Sequence, residues 1–147
     1  MAIKLTTGKE AFPIEFDNGD KEVIYFNPND PGLASKMKDF EKNCKEKIGE
    51  LKDEDMLPKD ESISEGIRVI EENEKISEII CEELDNIFGD GTSNVLFKYC
   101  SPLATVNGEY YMLVVLSALK VEIEKRVKKS TELTKKNMEK YMRKYGR

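Results

Sequence analysis

Near the middle of the chain stand Ile87, Phe88, Gly89, Asp90, Gly91, Thr92, Ser93 and Asn94. Two glycines around an aspartate, followed by two hydroxyls, have the residue types of three chemistries. A phosphate-binding P-loop needs G-x-x-x-x-G-K-[ST] between a strand and a helix, with the lysine reaching the phosphates. Here the glycines are two apart, no lysine follows, and a helical pattern precedes. A dinucleotide fingerprint needs a third glycine after G-x-G, which "GDGTSN" lacks. A calcium loop needs oxygen ligands at alternate positions. Counted from Asp85, those positions fall on Ile87 and Gly89. The stretch fits a corner between helices instead. Gly89 takes the left-handed position after a helix, where a Cβ would clash. Asp90 and Gly91 turn the chain, and Thr92 or Ser93 caps the next helix.

The other reactive types are no better placed. The acid pairs Glu71/Glu72 and Glu82/Glu83 have the type for acid–base work, but the helical pattern puts them on polar, solvated faces. The chain has no His, which removes the usual general base near neutral pH and the commonest metal ligand. A Cys–His nucleophile is therefore excluded for Cys44, Cys81 and Cys100. Three widely spaced cysteines without a C-x-x-C pair read as reduced and mostly buried, hence as belonging to a cytosolic protein. No catalytic residue, cofactor site or metal ligand is assigned, and a non-enzymatic role is expected.

The elements that would position these residues are those of one small domain. At 147 residues the chain can bury a core without metal or disulfide. It is 39% hydrophobic and 36% charged, which suits exposed helices better than a thick sheet. The start shows no signal peptide, and no run approaches the roughly 18 apolar residues of a membrane span. In "AFPIEFDNGDKEVIYF" Phe12, Ile14 and Phe16 alternate with polar neighbours, and Val23 and Tyr25 continue the alternation. Asn18-Gly19 predicts a type I′ turn, hence a hairpin over about 11–26. Pro13 places its strand at an edge.

Asp30-Pro31 is an N-cap followed by a first-turn proline. Leu33, Met37, Phe40, Cys44, Ile48 and Leu51 then recur at spacings of 4, 3, 4, 4 and 3, predicting a helix over 31–51. Pro58 breaks the pattern. A second helix over 62–88 starts from a capping box of Ser62 and Glu65. A short helix is expected over 93–99 and, with Asn107 as cap, a fourth over 108–129. The fourth is apolar on most sides at first and is expected to be central. Residues 130–147 form a basic tail, helical or partly disordered. The fold class is α+β, predominantly helical: an N-terminal hairpin packed on a small helix bundle.

Charge is lopsided. From Lys120 to Arg147 eleven basic residues face four acids, a net +7, so the rest of the chain carries −12 and the whole −5. The tail cations Lys128, Lys129, Lys135, Lys136, Lys140, Arg143 and Lys144, with Tyr141 and Tyr145 among them, could meet nucleic acid by phosphate contact and stacking. The acidic body would repel a polyanion, so a contact with protein, within the chain or beyond it, is the favoured reading.

The order of parts, and the phrase "LDNIFGDGTSNVLF" above all, resembles the small tail assembly chaperones of long-tailed bacteriophages and prophages of Gram-positive bacteria. Members commonly run a helix into I-F-G-x-G-T-S and then a Phe. Here those are Ile87, Phe88, Gly89, Gly91, Thr92, Ser93 and Phe97. The likeness covers most of the chain in layout and about ten residues in wording, and the basic tail departs from a family whose ends are often acidic or neutral. The resemblance implies a non-enzymatic protein of the host cytoplasm, absent from the mature virion. It would bind the tape measure protein and keep it soluble during tail assembly. A longer frameshifted form of the protein is a second implied partner, and self-association stays open. Leu33, Met37 and Phe40 are the expected partner-binding stripe, against the alternative that they belong to the core. The rival functions are a structural tail or connector component, and a regulator binding nucleic acid through the basic tail.

Overall fold

The computed structural model describes residues 1–54 and 65–145, with side chains for 1–50 and 70–144. The fold is α+β and mostly helical. Two strands, β1 (Glu10–Glu15) and β2 (Lys21–Phe26), form an antiparallel hairpin. Helices α1 (Pro31–Glu54), α2 (Glu65–Phe88) and the five-residue α3 (Thr92–Leu96) follow. A second, minimal hairpin of β3 (Thr105–Val106) and β4 (Glu109–Tyr110) leads into α4 (Tyr111–Tyr145). The break at Pro58 and the capping box of Ser62 with Glu65 lie outside the described residues.

The first hairpin forms where expected but turns differently. Gly19 has φ 90°, whereas Asn18 does not reach positive φ, so the loop is not type I′. Gly19 donates its N–H to the Phe16 carbonyl at 3.0 Å, and Phe16 donates to Asp20 at 2.9 Å. This is a three-residue loop with a left-handed glycine at its end. A two-residue turn at Asn18-Gly19 would have set Phe12 opposite Tyr25. The longer loop slips the register by one, setting Phe12 opposite Ile24, and a slip of one exchanges the two faces of a strand. Ile24 and Phe26 are therefore buried while Val23 and Tyr25 are exposed. Phe12 and Phe26 stack at 4.0 Å between ring centroids, and Phe26 meets Phe88 edge-on at 4.9 Å, joining the hairpin to the end of α2.

The type I′ signature occurs instead at Asn107 and Gly108, whose φ values are 51° and 82°. Asn107 is thus a turn residue of the second hairpin and not a helix cap. Asp30 caps α1 as expected: its Oδ1 accepts the Gly32 N–H at 2.9 Å and its carbonyl the Leu33 N–H at 3.0 Å.

One core unites the hairpin with all four helices. Phe12, Ile24 and Phe26 meet Leu33, Phe40 and Cys44 from α1, Ile80, Leu84 and Phe88 from α2, Leu96 from α3, and Val115, Leu119 and Ile123 from α4. Leu84 is 0% exposed, so α2 and not α4 is the central helix. α4 buries one stripe only; Leu113 and Val121, on its other sides, are about half exposed. Its apolar run is two-sided in sequence because the side away from the core carries Leu and Val as well. The helix runs unbroken past 129 to Tyr145, so as far as Tyr145 the tail takes the helical one of its two expected forms.

Candidate functional site

The glycine-rich stretch is a corner with a specific lock. Gly89 (φ 111°) ends α2, its N–H bonding the Asp85 carbonyl at 2.8 Å, and Gly91 (φ 86°) precedes α3. Gly91 is the N-cap and offers no side chain. Thr92 and Ser93 lie inside α3 and are buried, so neither caps it. The acceptor comes from α2: Asp85 takes the Ser93 N–H on Oδ1 at 2.8 Å and the Ser93 hydroxyl on Oδ2 at 3.0 Å. That carboxylate satisfies an early amide of α3, which a cap must do. The sequence signal for it was present, an aspartate eight residues before a serine, but no local rule pairs residues across a corner.

The expected docking stripe on α1 is occupied by the protein itself. Leu33 and Phe40 are buried in the core and Met37 packs against it, so in this fold they face inward and are closed to a partner. The reason is α2, along which α1 lies. Where the two helices meet, one acid departs from the expected polar face. Glu83 is 6% exposed, ion-paired with Lys47 and 3.5 Å from the amide nitrogen of Asn43. A buried carboxylate requires such partners. Cys44 is buried beside it, and Cys81 and Cys100 are half-buried; all three are free thiols. Burial raises the thiol pKa of Cys44 and of Cys81, against the nucleophilic thiolate.

The hairpin and α4 are joined by Arg126. Its guanidinium carbon lies 3.6 Å from the Phe12 ring centroid. Its Nη1 is 3.4 Å from Glu10 and its Nε 3.2 Å from Glu122. Beyond this point α4 leaves the core. Every residue from Thr131 to Lys144 is exposed, including Lys135, Lys136, Lys140, Arg143 and Lys144, and so are Lys128 and Lys129 just before.

This second half of α4 does not stand alone. Between it and the start of α1 lies a groove of about 870 Å³, with Pro31 and Ala34 on one side and Val127, Thr134, Met138 and Met142 on the other. Lys135 and Arg143 also line it, as do Asp30 and Glu139. Lys128, Lys129 and Leu133 line an adjoining hollow beside Glu10, which shares Asn29 and Ser130 with the groove. Sequence reasoning missed the groove, because its two walls are about a hundred residues apart. One wall was legible: Val127, Thr131, Thr134, Met138 and Met142 recur at spacings of 4, 3, 4 and 4.

Among the described residues no cluster of His, Cys, Asp or Glu could hold a metal ion, and no helix is long and apolar enough to cross a membrane. Comparison with protein-family models, with curated proteins and with solved structures returns no match for this chain.

Proposed function

We propose that this protein is a non-enzymatic tail assembly chaperone of a long-tailed bacteriophage or prophage. It binds the tape measure protein in the host cytoplasm, keeps it soluble while the tail is built, and leaves no copy in the finished particle. The proposal comes from the resemblance carried by Ile87 to Ser93 and Phe97. The structural observation that carries it is the second half of α4. There a helix continues past the core with Met138 and Met142 about 57% and 60% exposed, facing a groove that no described part of the chain fills. A tape measure is a long helical protein with apolar stripes, and an open, thioether-lined groove suits helices of varied sequence.

A second reading has one observation in its favour. Seven exposed cations between Lys128 and Lys144 are the type of surface that meets nucleic acid. A third, a tail or connector component, requires the protein in purified particles. Sequencing the DNA downstream of the coding region separates them. A slippery run, an overlapping second frame and a very long helical reading frame support the chaperone and its longer frameshifted form. Downstream DNA without such a frame refutes it.

A further inference from the structure

We infer that the basic face of α4 beyond the core docks on the acidic face of α2 in a second copy of this chain. This contact goes beyond the chaperone reading and does not need it.

The two segments carry opposite charge. From Lys128 to Lys144 seven basic residues stand against Glu132 and Glu139, a net +5. From Ile70 to Asp90 eight acids stand against Lys75, a net −7. Lys136, Lys140, Glu74 and Glu78 are exposed and make no ion pair among the described residues. The charge of Lys47 reaches Glu82, but its ammonium is paired with Glu83.

The two faces also repeat one pattern. On α4, Leu133, Lys136, Lys140 and Lys144 recur at spacings of 3, 4 and 4, which is one side of a helix. On α2, Ile70, Glu74, Glu78 and Glu82 recur at spacings of 4, 4 and 4. Each row is an apolar side chain one turn ahead of three like charges. Leu133 is 60% and Ile70 58% exposed. With the helices side by side and parallel, Leu133 meets Ile70 and the lysines fall beside the glutamates. Glu132 and Glu139 each precede a member of the basic row by one residue, and Lys75 follows Glu74 by one, so all three lie about 100° round their helices. Met138 and Met142 are on the other side of α4, along the groove.

The acidic row has a seat beside it. A hollow of about 500 Å³ is lined by Ile70, Asn73, Glu74, Ser77, Glu78 and Ser101, two acids and no cation. Ser77 and Ser101 share a hydrogen bond at 3.3 Å across it. A leucine with lysines behind it complements such a surface in shape and in charge. The second copy is favoured over nucleic acid because the rest of the chain carries −12, which repels a polyanion, and because phosphates have no use for Leu133.

The test is sedimentation of the full chain across concentration, at about 0.01 M and about 1 M salt, where charges act over about 30 Å and about 3 Å. Three double variants accompany the wild type. Glu74→Lys with Glu78→Lys reverses the acidic row, and Lys136→Glu with Lys140→Glu the basic one. Lys38→Glu with Lys42→Glu, at exposed positions of α1, makes the same change in net charge as the second. All six positions are exposed, and thermal melting should show that the variants fold. At low salt the wild type should grow in mass with concentration, and at high salt it should sediment as a monomer. Each row reversal should weaken the association about tenfold or more, and the α1 variant should keep it. Leu133→Ser should weaken it with no change of charge. Mixed one to one, the two row-reversed proteins should associate again, since the acidic tail of one meets the basic α2 of the other. A wild type that stays a monomer at low salt overturns the inference, and binding of a DNA duplex by that monomer would give the tail to nucleic acid. So would association untouched by either reversal, equal loss in the α1 variant, or a mixture that stays monomeric overturn it.

Discussion

Asp85 on α2 holds Ser93 on α3 by both carboxylate oxygens, at 2.8 Å to the backbone nitrogen and 3.0 Å to the hydroxyl. The glycine corner is thus closed by a side chain from before it. Asp85→Ala removes both acceptors and leaves Ser93, 4% exposed, without its partner. The expected loss is about 1–2 kcal/mol, typical of a lost cap, seen as a lower urea midpoint at unchanged slope. Asp85→Asn keeps one acceptor oxygen and should lose about half as much. A midpoint unchanged in Asp85→Ala would mean the lock contributes nothing.

The two glycines of that corner should cost backbone strain alone. A Cβ at Gly89 or Gly91 would meet nothing within 4 Å, but their φ values are 111° and 86°. Gly89→Ala and Gly91→Ala should each destabilise by about 1–2 kcal/mol through conformation and not through packing. Gly91→Asn, a residue that tolerates the left-handed region, should recover part of the loss. Equal losses for Ala and Asn at position 91 would contradict this.

Arg126 ties α4 to the hairpin through Phe12, Glu10 and Glu122. Arg126→Lys keeps the charge but not the planar fork that lies on the ring. It should lose about 0.5–1 kcal/mol, and Arg126→Ala more. The diagnostic readout is amide hydrogen exchange. Protection should fall from about Val115 to Val127 and hold in α2, because α4 touches the hairpin at its buried stripe while α2 is held from several sides. Equal loss along both helices would show a global effect.

Burial pushes the Cys44 thiol up to about 11, with the nearby Glu83 carboxylate adding to the rise and Lys47 opposing it. The ordinary thiol value is 9.0. Between the two, the unfolded chain has released a proton that the folded chain keeps, so stability falls as pH rises through that window and is fully present below it. Wild type should exceed Cys44→Ala in stability at neutral pH, because the variant loses a buried side chain. The gap should narrow as pH climbs from 9.0 towards 11. A constant gap across the window would contradict a raised thiol.

Local signals were legible in the chain, and relations across space were not. Asp30-Pro31 stated the start of α1 outright, and the Leu33–Met37–Phe40 spacing stated a helix face. That spacing does not say what covers the face, and α2 covers it. The chain has two Asn-Gly pairs; read in sequence, Asn107 is a helix cap and the type I′ rule applies to Asn18-Gly19 alone. Asn107-Gly108 obeys it, while at Asn18-Gly19 the flanking Asp17 joins the loop and the register slips, moving Ile24 and Phe26 inward. The apolar start of α4 suggested a central helix, since periodicity cannot tell an all-round buried helix from one with exposed Leu113 and Val121. Glu83 looked solvated for the same reason: nothing near it in sequence announces Lys47. The groove needed both Ala34 and Met138, which only the fold brings to one place.

Co-expression with the tape measure protein tests the central claim most directly. Expressed alone the tape measure should sediment; with this protein it should stay in the supernatant and co-purify with it at defined stoichiometry. The Ala34→Glu and Met138→Glu variants should fail to keep it there. A tape measure that remains insoluble beside abundant, folded wild-type protein would contradict the account.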